Sequence, residues 1–381
     1  MKLPSRWPAG ASSRQLTLNR FFGMKSPRHS PASFALFFPL LFLIAARQSR
    51  AQALERLFYY VDREDSYQSL VKNIDQITIL GPQVYTVDSL GIVFGELDSR
   101  VLALAKAHHV KVMPLVVNEG FNQPALRKLL ADTAARSRAT RSLVQLCQQG
   151  GYWGIQFDIE NVNIQDRDLL TAWYRETASA LHRGGFTLSI AVVHRTEDNA
   201  GQTAYHRFLQ DSWRAGYDLA ALAQAGDFIS LMTYSENTRR TPPGPVASLE
   251  WMRANVEYFL KYVPRERLSL GIPTYGDHWY TRADPTIPEH ARSWAETVGW
   301  TWGSGIAERH GATMQWDSVA RVPYAYFSNG GVYEWVFLEN ARSFREKMDL
   351  ARSYRLRGFS VWVLGPEDPA IWDYLKTQPK P

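Results

Sequence analysis

From residue 57 onward the chain alternates short apolar runs with longer amphipathic stretches, and that alternation leaves few folds open to it. The runs are residues 57–61, 76–80, 110–117, 154–160, 186–193, 228–234, 268–275 and 358–364. Several are near-continuous in Val, Ile and Leu, the pattern of parallel strands covered on the outside by helices. Between them lie helix-patterned segments such as 97–108, 169–183 and 249–262, each ending near a Gly, a Pro or a basic residue. Alternating β and α units predict a parallel α/β fold, and eight of them predict a closed (β/α)8 TIM barrel. The 381 residues hold one such barrel of about 250 residues with an insertion. The gap before the last strand, about 80 residues, is too long for one helix and a turn. It contains strand-like segments 322–327 and 332–338 around Asn329-Gly330-Gly331, a hairpin signal, and then a helix at 343–354. Residues 278–341 are therefore expected to form an α+β insertion between strands seven and eight, on the catalytic rim.

The chemistry concentrates in the fourth strand, Gly154-Ile155-Gln156-Phe157-Asp158-Ile159-Glu160-Asn161. Side chains alternate along a strand, so Ile155, Phe157 and Ile159 share one face while Gln156, Asp158 and Glu160 share the other. In a parallel barrel the apolar set packs outward on helices and the polar set enters the lumen. The two carboxylates then stand ~7 Å apart by Cα, at the end where barrel enzymes carry their sites. A half-exposed strand with a solvated face is the alternative; it fits poorly, because such a face would more often carry Lys, Thr or Arg. Two acids buried this close push their pKa values apart, leaving one charged and one able to donate a proton near neutral pH.

This segment resembles the signature of glycoside hydrolase family 18, Asp-Gly-x-x-x-Asp-x-Glu, and within it the chitinase-like spore-cortex and cell-wall N-acetylglucosaminidase branch, whose pattern ends Asp-Phe-Glu-Asn. Further matches follow in order. Leu231-Met232-Thr233-Tyr234 is similar to the family's Met-x-Tyr, Leu270-Gly271-Ile272-Pro273-Thr274-Tyr275-Gly276 to its seventh-strand motif, and Gly358-Phe359-Ser360-Val361-Trp362-Val363-Leu364-Gly365 to its eighth strand. The segment from Tyr333 to Gly358 resembles the end of the family's insertion, and the likeness spans about residues 57–375. It implies a retaining hydrolase of β-linked N-acetylglucosamine glycans, peptidoglycan or chitin-like, that uses no protein nucleophile. Glu160 would be acid and base, Asp158 would orient the substrate's acetamido group, and Tyr234 would bond the acetamido oxygen. Trp362 would floor the sugar pocket, and Gln156, Met232 and Tyr275 would complete it. The chain departs from the family pattern at Trp153, where an Asp is usual, at Gln156 and at Ser235.

Tyr59 and Tyr60 end the first strand, one of them facing the pocket, and Tyr60 is counted among the sugar-binding residues. Glu236, Asp277 and Trp279 sit just past strands six and seven on the same side and are further sugar-binding candidates. For Asp277 and Trp279 a solvated loop is an equal alternative; for Trp362 and Tyr234, read apart from the resemblance, the alternative is plain core packing. Two other readings share the barrel: a lectin-like protein without cleavage, and a glycosidase that pairs Glu160 with a second protein carboxylate such as Glu236 or Asp277. No His, Cys and Asp cluster has metal-ligand spacing, and no phosphate loop or Ser elbow is present, so neither metal nor cofactor is expected. His108-His109 ends a helix and reads as a solvated pair. Cys147, the only cysteine, reads as a buried apolar residue and can form no internal disulfide.

The basic balance, pI near 9.3, belongs to the N-terminus. Residues 1–53 carry eight Lys or Arg and no acid; without them the formal charge moves from +6 to −2. This removes the support for a nucleic-acid partner. Lys25 and Arg28 precede an apolar run at 34–46, followed by Ala51-Gln52-Ala53, a small-x-small cleavage pattern. Residues 1–53 thus read as an export leader, with Met24 a plausible true start, and residues 54–381 as an exported barrel with no stable membrane insertion. The sequence carries no sign of an oligomeric state.

Overall fold

The structure is a computed structural model that describes residues 53–238, 241–282 and 292–380; the expected leader, all but residue 53, and part of the expected insertion lie outside them. Eight strands form a closed, all-parallel ring: β1 (Glu55–Tyr60), β2 (Ile79–Val87), β3 (Leu115–Asn118), β4 (Gly154–Asp158), β5 (Thr187–Val193), β6 (Phe228–Met232), β7 (Leu268–Pro273) and the eighth barrel strand (Gly358–Trp362). Closure comes from β1, which pairs with β2 on one side and with Gly358–Trp362 on the other. Helices cover the outside. α1 (Glu64–Asn73), α2 (Ser99–Ala107), α3 (Gln123–Ala131), α4 (Thr133–Gly150), α5 (Arg167–Arg183), α6 (Ala204–Leu209), α7 (Leu219–Ala225) and α8 (Leu249–Phe259) precede the insertion. Several are capped as their sequences dictate: Asp98, Asn122, Asp132 and Asp218 each accept a backbone N–H of the first turn.

The expected alternation holds on β4. Ile155, Phe157 and Ile159 are buried in the outer layer with Trp173 and Tyr174 of α5, and Cys147 of α4 lies in the same layer. The lumen holds a separate apolar plug of Leu57, Tyr59, Ile79, Met113, Leu115 and Phe228. Trp153, where the family pattern has an acid, packs against this plug, with Lys111 Nζ 4.4 Å over its ring; it stands at the start of β4, away from Asp158. Above the plug a polar layer begins. Tyr59 Oη donates to Gln156 Oε1 at 2.7 Å, and Gln156 Nε2 donates to Ser189 Oγ at 2.8 Å and Ser230 Oγ at 3.1 Å.

The second strand starts and ends later than the sequence pattern implies, because Gly81-Pro82 reads as a break yet lies inside it. A Cβ on Gly81 would come within 2.9 Å of the Tyr59 ring, so glycine there makes room for that side chain. After β7 the chain enters an antiparallel five-stranded sheet of β8 (Gly276–Arg282), β9 (Arg292–Val298), β10 (Gln315–Asp317), β11 (Val322–Asn329) and β12 (Val332–Phe337), with α9 (Trp300–Arg309) between β9 and β10. The expected hairpin is the β11–β12 pair. α10 (Ala341–Ser353), opened by a capping box at Asn340 and Ser343, leads back to the barrel, and α11 (Ala370–Lys376) follows the last strand. Among the described residues no helix is long and apolar enough to cross a membrane.

Candidate active site

A cavity of about 320 Å³ opens at the C-terminal end of the barrel strands, lined by Asp158, Glu160, Tyr234 and Trp362 together with Tyr59, Gln83, Met232, Ser235 and Tyr275. All of these but Gln83, which lies within β2, come from a strand end or the turn after it, the arrangement a parallel barrel imposes. Asp158 is the last residue of β4 and is buried. Its Oδ2 accepts from Gln83 Nε2 at 3.1 Å, while its Oδ1 is buried without a partner. Gln83 thus takes the place of an acid partner that Gln156 cannot supply. Burial raises the Asp158 pKa, opposed by the Gln83 hydrogen bond.

Glu160 lies one step past the strand, on a backbone pinned from several sides. Asn118 at the end of β3 bonds it twice: Oδ1 accepts from the Glu160 N–H at 2.9 Å and Nδ2 donates to its carbonyl at 3.1 Å. Tyr217 Oη donates to the Ile159 carbonyl at 2.7 Å. Asn161 turns the chain away with φ 56°, a left-handed conformation that Asn tolerates, and its side chain donates to the Phe121 carbonyl at 2.9 Å. The Glu160 carboxyl is also raised, by burial first and then by the Asp158 charge, while a hydrogen bond from Trp213 pulls it down. Both carboxyls therefore stand above the ordinary carboxylate range, Asp158 at about 6 and Glu160 at about 7. Trp213 sits in a π-helical turn, Gln210–Arg214, after β5. Such turns re-aim side chains at sites.

The aromatic walls are equally fixed. Trp362 lies 5.4 Å, ring to ring, from Tyr59. Tyr234 donates to the Ser360 carbonyl at 3.2 Å, and Gly271 leaves room for it: a Cβ there would stand 2.9 Å from the Tyr234 hydroxyl and 2.3 Å from the Leu231 carbonyl. Ser235, where an acid is usual, has φ 59° and hydrogen-bonds Tyr275. His194 closes another side, edge-on to Trp213 at 4.9 Å and to Trp251 at 4.7 Å.

The structure therefore brings together Asp158, Glu160, Tyr234, Trp362, Met232 and Tyr275, and corrects the placement of others. Tyr60 is 1% exposed in the outer layer, because β1 turns Tyr59, and not its neighbour, into the lumen. Gln156 lies beneath the cavity, with both ends of its amide bound to Tyr59, Ser189 and Ser230. Trp279 is fully buried in the insertion sheet against Ala320, Val322 and Phe337, its indole N–H donating to the Gly244 carbonyl at 3.0 Å. Asp277 stands outside the cavity lining, accepts from Thr297 Oγ1 at 3.3 Å, and is pushed up to about 6 by burial. Glu236 lies in an adjoining groove, bound by the Ser248 N–H at 2.5 Å and the Ser248 hydroxyl at 2.9 Å. Neither lines the cavity as a second catalytic carboxylate. Gln83, Asn118, His194 and Trp213 carry no signal in the sequence pattern, since each meets the acids only through the closed ring.

Residues 56–367 match the family description "Glycosyl hydrolases family 18". An uncharacterized glycosylase, YvbX, of Bacillus subtilis is 23% identical over 88% of this chain and 94% of its own length. The cortical fragment-lytic enzyme of the same organism is 27% identical over 79% of this chain and 68% of its own. Among solved structures, the chitinase from Chromobacterium violaceum superposes with a TM-score of 0.75 at 26% identity, covering 85% of this chain and 98% of that one.

Proposed function

The chain belongs to glycosyl hydrolases family 18 and is a glycosidase, and from that membership we propose that it cleaves β-linked N-acetylglucosamine glycans, of peptidoglycan or chitin type, with retention through an oxazolinium intermediate. The observation that carries the reading is the pairing of Asp158 and Glu160 in a cavity that, among the described residues, no third carboxylate lines. As the family resemblance implies, the nucleophile in this reading is the substrate's own 2-acetamido oxygen, with Asp158 orienting the acetamide instead of attacking the anomeric carbon.

In this mechanism Trp362 stacks under the sugar whose bond is cut, and Glu160 gives its proton to the departing glycosidic oxygen. The acetamido oxygen closes on the anomeric carbon as the bond breaks. Asp158 Oδ1, buried and unpartnered, accepts the acetamide N–H, and its charge stabilises the cyclic cation. Tyr234 exchanges the Ser360 carbonyl for the acetamido oxygen. Glu160, now ionised, removes a proton from the water that opens the ring, which restores the starting state with the original anomeric configuration. The reading extends to residues 1–53 as a cleaved leader, placing the barrel outside the cytoplasm, where such polymers lie.

Product analysis by mass spectrometry on peptidoglycan and N-acetylglucosamine oligomers tests it. Wild type is expected to release new reducing ends that keep the β configuration, and a thiazoline mimic of the oxazoline to inhibit it. Glu160→Gln is expected to lower kcat on the order of 10³-fold or more. Release by neither wild type nor Glu160→Gln would leave only a sugar-binding barrel, and equal release by both would take the acid's role from Glu160. Activity untouched by the thiazoline would point to a protein nucleophile.

A further inference from the structure

A groove of about 730 Å³ continues from the catalytic cavity, sharing His194, Trp213 and Ser235 with it. Its direction relative to the reaction follows from its neighbours. Trp213, which donates to Glu160, lines both spaces, so the groove begins on the side of the proton donor. Trp362 and Tyr275 instead lead into a separate groove beside α9. The part of a glycan that departs with the protonated oxygen therefore passes Glu160 and Trp213 into the first groove.

Arg214 sets the chemistry of that groove. Among the described residues it forms no ion pair, and its Nε is buried without a partner. Its Nη2 lies 3.4 Å from His194 Nε2. His194 is held neutral: burial, then the Arg214 charge, pull it down to about 3, against the carbonyls of Tyr234 and Met232. A neutral imidazole wedged between two tryptophans is a fixed acceptor for the guanidinium. Burial also lowers the Arg214 pKa, with Tyr205 and Glu197 opposing and Arg195 adding to it. Glu236, in the same groove, is bound by Ser248 and forms no ion pair with the guanidinium. Phe208, 58% exposed, supplies an open ring face nearby, and Tyr205 lines the same groove. A partly buried guanidinium with no carboxylate at ion-pair distance among the described residues suits a carboxylate arriving with the ligand.

We infer that this groove binds the leaving-side sugar of a glycan bearing a carboxylate substituent, and that Arg214 reads the carboxylate. This rests on the glycosidase reading and narrows its substrate to peptidoglycan-type strands, whose alternate sugars carry a lactyl ether or its peptide, over uncharged chitin.

The test compares kcat/KM on three N-acetylglucosamine oligomers that differ only on the leaving-side sugar: a 3-O-lactyl acid, its methylamide, and the acid extended by one amino acid. Wild type is expected to prefer one or both acids over the amide by roughly 10-fold. The acid preferred identifies the source of the carboxylate. Arg214→Gln is expected to bring the preference close to one, and Arg214→Lys to keep part of it. Each ratio is measured on one preparation, so partial misfolding lowers all rates alike and leaves it unchanged. No preference in wild type, or a preference that survives Arg214→Gln, overturns the assignment while hydrolysis itself stands. A wild type that cuts none of these oligomers, nor unsubstituted ones, overturns both readings.

Discussion

Glu160 owes its protonation state to neighbours from separate parts of the chain. Burial and the Asp158 charge keep its proton on near neutrality, and the Trp213 hydrogen bond works the other way by favouring the carboxylate. The acid must be protonated at the start of each turnover, so kcat/KM is expected to decline on the basic side near neutrality, well above the ordinary carboxylate value of about 4. Trp213→Phe removes a donor to the charged form, which raises the Glu160 pKa further. The basic limb should then move upward by roughly 0.5–1 pH unit. A pH–rate profile of the variant checks this, and an unmoved or lowered limb would count against the assigned role of Trp213. Beside Glu160, the departures at Trp153 and Gln156 find physical explanations. Trp153 helps close the base of the lumen, and Gln156 holds Tyr59 upright while Gln83 takes over the partnership with Asp158.

Among the elements, β3 and β4 act as a unit whose product is the position of one carboxyl. Asn118 ends β3 and satisfies both backbone groups of Glu160, where β4 has no further ladder partner. Asn118→Ala is expected to cost about 1–3 kcal/mol in urea unfolding, because two polar groups lose their partner. It should also lower kcat by roughly 10–100-fold with little change in KM, since binding groups elsewhere stay in place. Steady-state kinetics giving a normal kcat would show that the clamp is dispensable. The sequence pattern located all eight barrel strands and the β11–β12 hairpin, because short apolar runs and glycine turns are local signals. It placed the second strand too early, since Gly81-Pro82 carries the marks of a turn while serving the packing of Tyr59. β8 and β9 gave no usable pattern; Trp279 and His278 are neighbours in sequence, and both are buried.

In the whole molecule, the path from the insertion back to the barrel runs over a buried ion pair. Glu339 follows β12, Lys347 lies in α10, and they bond to each other with Ser343 donating to the same carboxylate at 2.7 Å. Burial raises Glu339 and lowers Lys347, so each charge depends on the other. Lys347→Met is expected to destabilise the protein by about 3 kcal/mol, because Glu339 is left charged and alone. The double variant Lys347→Met with Glu339→Leu should regain most of that. Urea midpoints of the two variants decide; a double variant no more stable than the single would show that the pair is a packing contact and not an electrostatic one.

What the chain determined unaided was periodic. Alternation put Asp158 and Glu160 on one face of β4, eight apolar runs implied the ring, and the order of motifs identified the family. What needed the tertiary structure was every partnership across the ring. Asn118 and Glu160 are 42 residues apart, and Tyr59 and Gln156 are 97 apart; closure and register, not local pattern, bring them to hydrogen-bonding distance. The same cause explains Tyr60. Both faces of β1 are apolar, so alternation separates Tyr59 from Tyr60 without saying which looks inward, and only the filled lumen decides.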